Sequence, residues 1–104
     1  MDDQVQKWIR VLENEWDRPD GFLGKLREGT FDPRHATIFV GRLTDIKLST
    51  SPVIDRRLVS LLWYIPIFLV WQRERIQENG GDLIAFERLI NQVQGILENF
   101  LGVP

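Results

Sequence analysis

The sequence predicts an all-α fold: a single-domain bundle of about five helices around a central, proline-kinked apolar helix at about 52–79. Three observations lead there. The run LVSLLWYIPIFLVW at 58–71 has no charge in fourteen residues, and Ser60 is its one clearly polar side chain. The segments on either side repeat their apolar residues every three or four positions, the spacing of a helix with one buried face. The one stretch with strand character, TIFV at 37–40, has no second strand to pair with.

Taken in order, the chain opens with a helix at Asp3–Asp17. Val5, Trp8, Ile9, Leu12 and Trp16 fall within about 100° of arc, and Asp2 and Asp3 suit the positive end of the helix dipole. Arg18-Pro19-Asp20-Gly21 stops it, because a residue before proline is pushed out of the helical region. A short second helix follows at 20–28, with Asp20 as its cap, Gly29 just beyond its end, and Phe22, Leu23 and Leu26 on its apolar face. Gly24 in its middle signals either close packing or a mere turn.

Phe31-Asp32-Pro33 is a stronger start, with Asp32 as cap and Pro33 at the first helical position. From there 34–47 places Ala36, Phe39, Val40, Leu43 and Ile46 on one side. A strand at 37–40 competes, and Gly41 together with the lack of a partner strand favours the helix. The clearest linker is 48–52. Ser51 is then the candidate cap of the central helix, with Pro52 first, Asp55 in the opening turn and Asn79-Gly80-Gly81 as terminator. Asp82 caps the last helix, Leu83–Leu101, whose apolar residues occupy about 160° of arc. Gly102 is a natural terminator, after which Val103 can fold back onto the last turn.

The central run must be buried in protein or in lipid, since it is apolar on every side. A membrane span needs roughly 20 apolar residues. This one is shorter and is bracketed by Arg56, Arg57, Arg73, Glu74 and Arg75. A core helix is therefore expected, and no membrane partner. Pro66 lacks the N–H that would bond the Leu62 carbonyl. Either the helix kinks there, or it ends near Tyr64 and restarts with Pro66 in its first turn. The bend then simply wraps the helix around its core, or it frees the Leu62 carbonyl to accept a bond from a ligand or partner.

With 104 residues the chain is one domain and can bury one core unaided. A formal net charge of −2 provides no basic excess to draw it onto nucleic acid. Cysteine is absent, which excludes disulfides, thiolate nucleophiles and Cys-ligated zinc and suits a soluble, cytoplasmic protein. The polar start MDDQVQKW has no signal-peptide pattern.

Enzyme motifs are missing: there is no P-loop, no glycine-rich dinucleotide fingerprint, no nucleophile elbow and no zinc-protease helix. His35, the one histidine, could pair with Asp32, but chemistry would require a cleft and a perturbed pKa. No cofactor is implied. Glu13, Glu15, Asp17 and Asp20 cluster in the first helix and the turn after it. Such a group is a solvated face, an acidic docking patch for a basic partner or, through Glu13 and Asp17, part of a divalent-cation site. The four arginines around the central run read as helix-end solvation with ion pairs such as Arg75–Glu78.

On the central helix Ser60, Tyr64, Ile67 and Trp71 form a stripe. Another helix covers it, or it faces outward and marks a partner surface. The expected function is therefore binding to another protein, with a homodimer as one version. In size, charge and class the chain is similar to immunity proteins that neutralise bacterial toxins. That similarity implies an acidic docking face at Glu13, Glu15, Asp17 and Asp20. The alternative from another class is a carboxylate-based metal-binding or enzymatic helical domain using Glu13, Asp17 and His35.

Overall fold

The computed structural model describes residues 3–46 and 53–104. Among the described residues there are six α-helices and no strand: α1 (Asp3–Asp17), α2 (Phe22–Arg27), α3 (Pro33–Thr44), α4 (Arg56–Trp63), α5 (Ile65–Glu78) and α6 (Leu83–Leu101). The stretch at 37–40 is helical, so the all-α reading holds. Asp32 caps α3 by accepting a bond from the Arg34 N–H at 2.9 Å, with Pro33 at the first position. Asp82 caps α6 through the Ala85 N–H at 3.0 Å. Both caps were legible because a side-chain acceptor one residue ahead of a helix satisfies N–H groups the helix cannot.

The central helix begins later than expected, and it is two helices. Ser51 and Pro52 lie outside the described residues, while Val53, Ile54 and Asp55 are not helical. The cap is Asp55, which accepts from the N–H groups of Arg57 (2.8 Å) and Leu58 (3.2 Å). The helix then breaks at Tyr64. Pro66 sits in the first turn of α5, where a missing N–H leaves no intrahelical bond unmade. The Leu62 carbonyl lies beside the Tyr64 N–H, two residues further along the chain. The carbonyl before it, of Leu61, instead accepts the indole N–H of Trp16 from α1 at 2.9 Å.

Asp20 does not cap α2. It is paired with Arg18 Nε at 3.1 Å, and the cap position falls to Gly21. The corner between α1 and α2 is tight enough to demand this. A Cβ on Gly21 would lie 2.3 Å from the Asn14 carbonyl oxygen, and one on Gly24 would lie 2.4 Å from that of Arg18. Of the two sequence readings of Gly24, close packing is the correct one.

Helices α2 and α5 end in the same motif. Thr30 donates to the Lys25 carbonyl at 2.9 Å around Gly29 (φ +88°), and Gly81 donates to that of Ile76 at 2.9 Å around Gly80 (φ +75°). The two ends are tied together by Asn79 Nδ2, which donates to the Gly29 carbonyl at 2.9 Å, and by Arg75, which donates to that of Arg27. Arg75 is thus engaged with α2 and not with Glu78. At the other terminus Val103 remains exposed and does not fold back.

Helix α4 packs on α1, α5 on α6 and α6 on α3, and α2 fills the space between α1, α3 and α5. First and last helices therefore each sheathe one half of the central run. The core they enclose is a single cluster running from Trp8 and Leu12 through Phe22, Phe39, Leu62 and Leu69 to Phe86 and Val93. The molecule measures 44 × 30 × 19 Å. Its short dimension is about two helix diameters, so the fold is a two-layer slab. A helix in such a slab keeps one side open to solvent, even when that side is apolar. No helix among the described residues is long and apolar enough to cross a membrane.

Candidate functional site

The open side of α4 and α5 carries the largest group of exposed apolar side chains. Trp63 is 50 % exposed, Ile67 37 %, Val70 52 % and Trp71 64 %. Trp63 and Val70 lie beside the stripe of Ser60, Tyr64, Ile67 and Trp71, so the outward face is broader than that stripe alone. Trp63 and Val70 are the members that reading misses, because it separates residues by helical angle without knowing which angle the slab leaves uncovered. Isolated exposed hydrophobics such as Ile38 and Ile84 are ordinary. A contiguous aromatic group is not.

The two exposed indoles are held. Tyr64 is half-buried, and both stand edge-on against it: Trp63 at 5.5 Å and 80°, Trp71 at 6.0 Å and 89°. Tyr64 in turn touches the buried Trp16, ring centroids 6.2 Å apart, and Trp16 stands edge-on to Phe68 at 4.9 Å. An unbroken aromatic chain therefore runs from the core to the surface. It restrains the rotamers of Trp63 and Trp71 before anything docks on them. Beside the patch a shallow groove of about 300 Å³ opens between α5 and α6, floored by Pro66, Leu97 and Leu101.

The four carboxylates expected to act together are divided by the fold. Glu15 is only 4 % exposed, accepts from Arg42 Nη1 of α3 at 3.1 Å through Oε1, and has no partner for its buried Oε2 among the described residues. It is thus withdrawn from any docking surface. Glu13 accepts two bonds from Arg57, at 2.9 and 3.3 Å. Asp20 is exposed beside Arg18, whose hydrogen bond and positive charge hold its carboxyl below the usual carboxylate value. Asp17 stays exposed at the rim of an open pocket of about 310 Å³ that also contains Arg27 and Arg57. No acidic face of one sign results, since three of the four carboxylates have an arginine on them.

His35 lies edge-on to the Phe22 ring at 5.3 Å, and Asp32 is occupied as a cap. The histidine lines a small polar pocket with Glu15, Arg18, Asp20 and Arg42. Among the described residues no three acidic or histidine side chains are placed to hold a metal ion. Arg57 and Arg73 form ion pairs with Glu13 and Glu87. No protein-family model, curated protein or solved structure matches the chain, so the reading of its function rests on this geometry.

Proposed function

We propose that this protein acts by binding another protein through the outward face of α4 and α5, with Trp63, Tyr64, Ile67, Val70 and Trp71 as the contact group. The observation behind the reading is the pair of exposed indoles clamped edge-on to a half-buried tyrosine. Binding energy at protein interfaces concentrates in aromatic anchors. Ordering a side chain on binding costs roughly 0.5–1.5 kcal/mol, and here much of that ordering is already done. We take the site of action to be the cytoplasm, which a cysteine-free chain suits.

A toxin-neutralising role through an acidic face has less behind it. Glu15 is inside the protein, and Glu13 and Asp20 are matched by arginines. An enzymatic role lacks a cleft that gathers Glu13, Asp17 and His35.

A photoreactive phenylalanine analogue placed in vivo at position 63 or 71 tests the proposal. A discrete protein adduct is expected at both positions and not at the polar position 91 of α6. Ile67→Asp in the same chain should suppress it. Adducts no stronger at 63 and 71 than at 91 would overturn the reading.

A further inference from the structure

The exposed face of α4 and α5 has an internal symmetry in its sequence. Four positions on either side of Ile67 stand Trp63 and Trp71, and three positions on either side stand Tyr64 and Val70. Further out, Ser60 and Glu74 lie seven positions away, and Arg56 and Glu78 eleven. Tyr64, where α4 gives way to α5, keeps a right-handed helical backbone (φ −78°, ψ −17°), so one wheel serves both helices, and at about 100° per residue all of these fall within about 120° of arc centred on Ile67. The structure leaves all of them exposed except Tyr64, which is half-buried. The two tryptophans are symmetric about Ile67, Tyr64 is answered by the apolar Val70, and the outermost members, Arg56 and Glu78, are of opposite charge.

From this pattern, and resting on the binding face proposed above, we infer that the partner is a second copy of this chain. The two copies pack α4 and α5 antiparallel to the same pair of the other copy, across a two-fold axis at Ile67. A two-fold interface must be self-complementary, with residue i meeting j and j meeting i. Here Trp63 meets the partner copy's Trp71, Tyr64 meets Val70, and Ile67 meets itself. Each of these contacts sets apolar surface against apolar surface.

Charge fixes the direction. Arg56, Glu74 and Glu78 are exposed and have no ion-pair partner among the described residues, whereas Arg57 and Arg73 are paired within their own chain. The antiparallel arrangement brings Arg56 of each copy to Glu78 of the other, twice. A parallel arrangement would put Arg56 against Arg56 and Glu78 against Glu78, and like charges directly opposed repel. The groove beside the patch, floored by Pro66, Leu97 and Leu101, gives the Trp71 indole of the other copy apolar surface to rest on.

Sedimentation velocity on the full chain, from micromolar to submillimolar concentration, tests this with two variants and their mixture. Wild type is expected to pass from monomer to dimer. Arg56→Glu and Glu78→Arg are each expected to weaken the dimer roughly tenfold, because each sets two like-charge contacts against each other. An equimolar mixture of the two should regain wild-type affinity, since both contacts in the mixed dimer are again of opposite sign. Neither change touches the core, so folding is not at risk. Ile67→Cys, in a chain with no other cysteine, should be cross-linked between copies by a short bismaleimide, and Asn91→Cys should not. A wild-type chain that remains monomeric throughout, or a mixture no tighter than its components, would overturn the second-copy assignment. If the cross-linker at position 71 then captures a protein of different mass, the binding face stands and its partner is another protein.

Discussion

Single residues in this protein are judged by what the fold puts beside them. Glu15 and Glu13 are two positions apart on α1 and look alike in the sequence. One is buried against Arg42 and the other shares a surface with Arg57. Removing the partner of a buried carboxylate leaves that group desolvated. Arg42→Ala should therefore destabilise the protein by about 1–3 kcal/mol in urea unfolding. The matching change at the surface, Arg57→Ala, should cost less than about 1 kcal/mol. Equal losses would show that Glu15 is solvated after all. Asp20 makes a different point. Its folded pKa is depressed by Arg18, so what the pair contributes is present above the ordinary carboxylate value and fades as pH falls through the folded value. Arg18→Ala should raise the Asp20 titration, followed by carbon NMR, toward that of an unperturbed aspartate.

At the scale of elements, most caps and terminators were readable, and so were the bounds of α1 and α6, whereas the extent of the central helix was not. Asp32, Asp82, Gly29 and Gly80 do what their positions announce, because caps are local chemistry. The central helix was misjudged at its start. Ser51-Pro52 and Asp55 both carry start signals, and only the packed chain selects Asp55. Two glycines inside helices make the same contrast measurable. Gly24 lies against the Arg18 carbonyl, and Gly95 has nothing within 4 Å of where a Cβ would be. Gly24→Ala should destabilise by about 1–3 kcal/mol through overpacking. Gly95→Ala, in an exposed helix interior, should stabilise by about 0.5–1 kcal/mol. Both are read from the midpoint of chemical denaturation at constant slope.

For the molecule as a whole the decisive dimension is its thickness of 19 Å. Two layers of helix cannot wrap a segment that is apolar all round, so part of the run at 58–71 has to face solvent or another molecule. If that molecule is a second copy, stability becomes a matter of concentration. The thermal midpoint should rise on going from micromolar to submillimolar protein. In Trp71→Glu the rise should vanish while the circular dichroism spectrum stays helical. A midpoint independent of concentration in the wild type would speak against association through this face.

The sequence alone determined the all-helical class, most helix ends and the existence of one segment too apolar to stand by itself. These follow from periodicity and from local bonding, which neighbours along the chain decide. Only the tertiary structure decided which of four acidic side chains would go inside and whether the proline would kink the central helix or divide it. It also decided which face of that helix would stay open. Those outcomes depend on what lies across the core, dozens of residues away in the chain: α1 packs on α4, α2 and α6 pack on α5, and the face with Trp63, Ile67, Val70 and Trp71 is left exposed.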